Sequence, residues 1–104
     1  FYGCASLTTA PELPATALAD YCYYYMFYGC TALTMAPTLP ATTLAEGCYS
    51  NMFYGCTSLI SMMIEYGESI GEAAFYNCTN LKSVTILNSV KSIGYRAFFD
   101  CKNL

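Results

Sequence analysis

The phrase Phe-Tyr-Gly-Cys begins at Phe1, Phe27 and Phe53, each copy 26 residues after the last. Looser copies, Phe-Tyr-Asn-Cys and Phe-Phe-Asp-Cys, begin at Phe75 and Phe98 after steps of 22 and 23. A step of about 20 to 30 residues that recurs along a whole chain is the signature of a solenoid, each copy being one coil stacked on the next. The exposed surface of such an array decides what it does. The chain is 56% apolar and 11% charged, against a usual charged fraction of about a quarter. A stack hides that much apolar surface by covering each coil with its neighbours.

Alignment on the Phe shows what each coil keeps. Three residues later stands Cys (Cys4, Cys30, Cys56, Cys78, Cys101), and three beyond that Leu (Leu7, Leu33, Leu59, Leu81, Leu104). A short extended stretch follows, clearest as Leu81-Lys-Ser-Val-Thr-Ile86 and Leu59-Ile-Ser-Met-Met-Ile64. Val84 and Ile86 alternate there with Ser83 and Thr85, the period of two that marks a strand. One strand per coil, always in the same sense, predicts a parallel sheet. The longer coils carry Ala10-Pro-Glu-Leu-Pro14 and Ala36-Pro-Thr-Leu-Pro40 here, and proline cannot donate to a ladder, so they pair over fewer residues.

The return half of each coil reads as helical. Ile70, Ala74 and Cys78, then Ile93, Ala97 and Cys101, recur at a spacing of four. In the longer coils the stripe extends to Leu18, Cys22, Met26 and Cys30, and to Leu44, Cys48, Met52 and Cys56. The extra residues amount to about one helical turn, so a fuller helix is expected there. The fold class is thus an α/β repeat solenoid, a right-handed coil stack with a parallel sheet on one face and short helices or turns on the other. Residues 1–104 form one array, with longer repeats over 1–58 and shorter ones over 59–104.

The segments Ile70-Gly-Glu-Ala-Ala-Phe-Tyr-Asn-Cys-Thr-Asn-Leu81 and Ile93-Gly-Tyr-Arg-Ala-Phe-Phe-Asp-Cys-Lys-Asn-Leu104 resemble the BspA-like leucine-rich repeat, whose pattern runs I-G-x-x-A-F-x-x-C-x-x-L-x-x-V-x-I-P. Met26-Phe-Tyr-Gly-Cys-Thr-Ala-Leu33 and Met52-Phe-Tyr-Gly-Cys-Thr-Ser-Leu59 look like its longer variant. The resemblance covers essentially the whole chain. It implies a leucine-rich-repeat solenoid from a secreted or cell-surface microbial protein, acting as an adhesin or interaction module toward a protein or glycan of a host or neighbouring cell. The family's proline after the strand is Leu87 in the fourth coil and Glu65 in the third. Starting on Phe1 and stopping on Leu104 in mid-motif, the sequence reads as an interior stretch, and self-association through uncapped ends is expected.

Several chemistries are excluded or disfavoured. There is no basic stripe of the kind a nucleic-acid binder needs, and bases are absent before Lys82. The acidic pI near 4.5 argues against anionic membranes, and no apolar run approaches a membrane span. With no His, neither a Ser–His–Asp nor a Cys–His arrangement can be assembled, and no usual zinc set is complete. Glu65, Glu68 and Glu72 read as a solvated edge. Neither an enzyme nor a cofactor is expected. The seven cysteines lack any close pair. Stacking brings the register cysteines within bridging range, but their side chains run parallel, which suits buried thiols better than one or two bridges.

Two surfaces remain as candidates. The first is the outward strand columns, Thr9, Met35, Ser61 and Ser83 beside Pro11, Pro37, Met63 and Thr85, which would line a concave face. The second is aromatic. Tyr21, Tyr23, Tyr24 and Tyr25 crowd one return segment and Tyr49 echoes Tyr23, while Tyr2, Tyr28, Tyr54 and Tyr76 form a row that Phe99 continues. Tyrosine gives large contact area at low entropic cost and is enriched at interfaces, yet ring stacking between coils is the better account of the row, and the two readings balance only for Tyr23 to Tyr25. The functional expectation is an extracellular binding module. The alternative is a spacer that displays another domain and has no ligand of its own.

Overall fold

The computed structural model describes residues 1–42 and 45–104. Its strands are β1 (Ser61–Ile64), β2 (Ser69–Ile70), β3 (Ser83–Ile86) and β4 (Ser92–Ile93). β1 pairs with β3 in parallel, Ser61 opposite Ser83 and Met63 opposite Thr85, and β2 pairs with β4. In the proline-bearing coils the sheet narrows to single parallel bridges, Thr9 to Met35 and Met35 to Ser61. Pairing thus shortens where the prolines remove donors.

The repeat columns are the core. Phe27, Phe53 and Phe75 are all but inaccessible, as are Cys30, Cys56 and Cys78, and Leu33, Leu59 and Leu81. Successive Phe rings stack at 5.5, 5.6, 5.3 and 5.3 Å from Phe1 to Phe98, almost parallel. Such pairs each add about 0.5–1.5 kcal/mol beyond the area they bury.

The return half is not helical. No helix forms among the described residues, and Leu44 of the expected stripe lies outside them. Instead the chain runs through overlapping four-residue turns. The N–H groups of Cys22, Tyr24, Met26, Tyr28 and Cys30 each bond the carbonyl three residues back. The third residue of most of these turns has a positive φ, at Tyr21, Tyr23, Tyr25 and Gly29, as a type II turn requires. Three of the intervening N–H groups leave the coil altogether: Tyr25 donates to Ser50, Phe27 to Met52 and Gly29 to Tyr54. The next junctions repeat the pattern, Phe53 donating to Ala74 and Phe75 to Ala97, both at 2.8 Å. The bonds of these overlapping turns run the same way, with N–H from the earlier coil and C=O from the later, whereas beside β4 the Gly94 N–H donates back to the Ile70 carbonyl.

This ladder explains the variable third letter of the repeat phrase. Gly3, Gly29 and Gly55 have φ near +70°, and their successors Asn77 and Asp100 have +59° and +60°. Asn and Asp are the side chains that best tolerate that region, so they replace Gly with least strain. Tyr21, Tyr23 and Tyr25 tolerate it poorly, and the inter-coil hydrogen bonds of Tyr21 and Tyr25 help hold them there.

All seven cysteines are free thiols. The register thiols form a ladder of their own: Cys30 Sγ donates to the Phe1 carbonyl, Cys56 to Phe27, Cys78 to Phe53 and Cys101 to Phe75, at 3.0–3.1 Å. Burial pushes the Cys56 thiol up to about 12 and raises Cys30, Cys78 and Cys101 as well. An unfolded thiol titrates near 9.0. Above that pH the unfolded chain gives up protons the folded chain keeps, so stability is expected to fall between pH 9 and about 12. Tyr49, pushed from 10.0 to about 12 by burial against a smaller opposing pull from the Ala41 backbone, adds to the same loss. Denaturation midpoints at neutral and alkaline pH check this, and Cys56→Ser should flatten the slope. A thiol-reactive chromophore should label exposed Cys4 at once, and Cys30, Cys56 and Cys78 only on unfolding.

Candidate interaction surfaces

On the strand face the pairing brings Thr9, Met35, Ser61 and Ser83 into one continuous row. Met63 and Thr85 stand opposite each other in the next column. Alternation turns Met62 and Ile64 into the core and leaves Ser61 and Met63 outside. Met35 is 67% exposed and Met63 53%. Together with Pro37, Ser61, Ser83 and Thr85 they line a shallow groove of about 370 Å³. Thr9 and Pro11 are exposed but lie outside that lining. A smaller hollow of about 100 Å³ adjoins it, bounded by Thr38, Leu39, Met63, Glu65 and Tyr66. Sequence reasoning missed Tyr66, whose only signal was an aromatic beside Gly67, a glycine at φ +88°.

The tyrosines divide. Tyr21 meets Tyr24 edge to face at 5.6 Å, Tyr24 tilts on Tyr25 at 4.1 Å, and Tyr25 stands edge-on to Tyr28 at 5.2 Å. Tyr21 and Tyr24 are exposed and Tyr25 is half-buried. Tyr23 and Tyr49 turn the other way and stack on each other at 6.1 Å. Tyr49 is buried, and among the described residues its hydroxyl has no partner of hydrogen-bond geometry. Those two rings therefore belong to the core rather than to the surface patch, because their column faces inward. The row Tyr2, Tyr28, Tyr54, Tyr76 and Phe99 stacks at 4.5 to 5.0 Å. The faces of Tyr28, Tyr54 and Tyr76 are spent on their neighbours in the row, while the end rings Tyr2 and Phe99 stack on one side only and are exposed.

Among the described residues no group of three or more His, Cys, Asp or Glu is placed to hold a metal ion. No described helix is long and apolar enough to cross a membrane. Buried thiols raised well above neutrality are poor nucleophiles. What the geometry offers is surface: a regular sheet with two exposed methionines, and a fan of tyrosines.

A search of the curated proteins finds no significant match. Among solved structures the chain is similar to a leucine-rich repeat protein from Bacteroides ovatus ATCC 8483, with a TM-score of 0.80 and 32% identity. The likeness covers 100% of this chain and spans 25% of that protein. The family model for the BspA type leucine rich repeat region matches residues 1–104 in six copies. The expected single strand per coil becomes two in each shorter coil, because Ser69–Ile70 and Ser92–Ile93 pair as well. Stacked Phe, Cys and Leu columns, parallel pairing between successive coils and that match agree: the chain belongs to the BspA-type leucine-rich-repeat family.

Proposed function

We propose that this array is the binding segment of an extracellular microbial surface protein, and that its strand face takes a protein or glycan of a host or neighbouring cell. Membership of the repeat family supports an interaction module, and the bacterial source of the similar structure supports a microbial setting. One observation carries the choice of face. The core columns are closed to solvent, yet Met35 and Met63 stand 67% and 53% exposed on the same groove. Methionine is a flexible, polarizable contact residue that suits binding surfaces. The small uncharged side chains around it let a partner approach closely.

The experiment is binding of the protein to a panel of matrix proteins and glycans, beside a Met35→Asp/Met63→Asp variant. Both side chains are exposed, so the fold should stay intact. A partner that the variant binds about tenfold more weakly, the scale of one interface hot spot, is the expected result. Unchanged binding would move the site off this face, and no binding across the panel would favour a spacer.

A further inference from the structure

A second groove, of about 710 Å³, lies on the turn face where the longer coils give way to the shorter ones. Tyr23 and Tyr49 of the longer coils are followed in the same column by Gly71 and Gly94. A Cβ on Gly71 would lie 2.7 Å from the Ser50 nitrogen, and one on Gly94 2.6 Å from the Glu72 nitrogen. Neither position can carry a side chain, so glycine backbone lines the groove beside the tyrosine fan.

The groove is chemically unlike the strand face. Tyr21, Tyr24 and Tyr25 line it together with Glu46 and Glu72. The Tyr21 ring lies against Gly47, where a Cβ would come within 2.5 Å of it, and the residue is still 56% exposed. Neither glutamate has an ion-pair partner among the described residues. The chain's bases are occupied or elsewhere: Lys91 pairs with Glu68, Lys102 pairs with Asp100, and Lys82 does not line the groove. Arg96 lies over its own Tyr95 and Phe99 rings at 4.9 and 5.5 Å. That internal contact is the same chemistry the groove offers to a visitor. Ring quadrupoles and carboxylate charge both attract a cation, and a concave site with one sign of charge focuses the field.

We propose that this groove binds the arginine or lysine side chains of a basic protein segment, their cationic heads resting on Tyr21 and Tyr24 between Glu46 and Glu72. It is a second surface, and it stands whether or not the strand face binds a partner.

The test is an amide-resolved NMR titration of the protein with a Gly-Arg octapeptide, and separately with its Gly-Glu counterpart. Saturable shifts at Glu46, Gly47 and Glu72 with the arginine peptide, and none with the glutamate peptide, are expected. Glu46→Gln/Glu72→Gln should weaken that binding about tenfold, the scale of losing two partly exposed charge contacts. Both glutamates are exposed, so this variant keeps the fold. The proposal is overturned if no shift saturates, if the double variant binds equally well, or if the shifts centre on Met35 and Met63 or on Glu12 and Asp20.

Discussion

Phe53→Ala should destabilise the protein by about 3–5 kcal/mol, the usual cost of emptying a phenylalanine site in a closed core. The ring is 1% exposed and stacks on Phe27 at 5.6 Å and on Phe75 at 5.3 Å. Removing it takes away two stacking contacts as well as buried area. The neighbouring coils cannot close the gap, because their spacing is held by backbone bonds such as the 2.8 Å one from the Phe53 N–H to the Ala74 carbonyl. Since small domains are stable by only about 5–15 kcal/mol, the change should be plain in a urea or thermal midpoint. Phe53→Leu, which keeps most of the volume, should lose well under half as much. An equal loss from both would place the stability in the ring's aromaticity rather than in its bulk.

Gly71→Ala is expected to cost about 3 kcal/mol, toward the upper end for overpacking a closed site. The new methyl would sit 2.7 Å from the Ser50 nitrogen, 2.8 Å from the Tyr49 carbonyl carbon and 2.9 Å from the Cys48 oxygen. All three are backbone atoms of the preceding coil, so no side chain can swing aside. Gly3→Ala is the control. Nothing lies within 4 Å of its Cβ, and only the φ of +70° resists the change, at about 1 kcal/mol. If the two variants lost the same stability, coil-to-coil contact at Gly71 would not be the cause.

The period of the chain and the residues of its core were legible because repetition supplies its own alignment. Phe, Cys and Leu recur at fixed offsets, and the offsets alone place them in stacked columns. The return half was misread for a physical reason. Ile70, Ala74 and Cys78 stand four apart, a spacing that one face of a helix and a run of successive turns both satisfy. Only the destination of the alternate N–H groups separates the two, and that destination is another coil, far away in sequence. Gly, Gly, Gly, Asn and Asp in the third position of the phrase were the local hint, since left-handed backbone selects them. Tyr21, Tyr23 and Tyr25 carry no such hint, because tyrosine does not seek that conformation.

The candidate surfaces divide along the same line. The strand columns follow from the register and could be written down in advance. The groove with Glu46 and Glu72 could not: alignment puts Gly71 and Gly94 in the column of Tyr23 and Tyr49, but only the fold presses them against the preceding backbone. Tyr49 failed as a surface residue because a tyrosine-rich segment does not say which of its rings turn inward.

The one-way ladder of the turn face gives the stack a direction. Each coil offers donors to the coil after it and acceptors to the coil before it, so the peptide dipoles along that edge add rather than cancel, as they do in a helix. Two such edges brought together in opposite senses would set donor against donor or acceptor against acceptor. A whole coil inserted or deleted leaves both of its new neighbours matched, whereas a partial one leaves a mismatched seam. Coils are therefore gained or lost whole and always in the same orientation, while a coil can differ by a few residues only where, as between Phe53 and Phe75, the ladder stays matched.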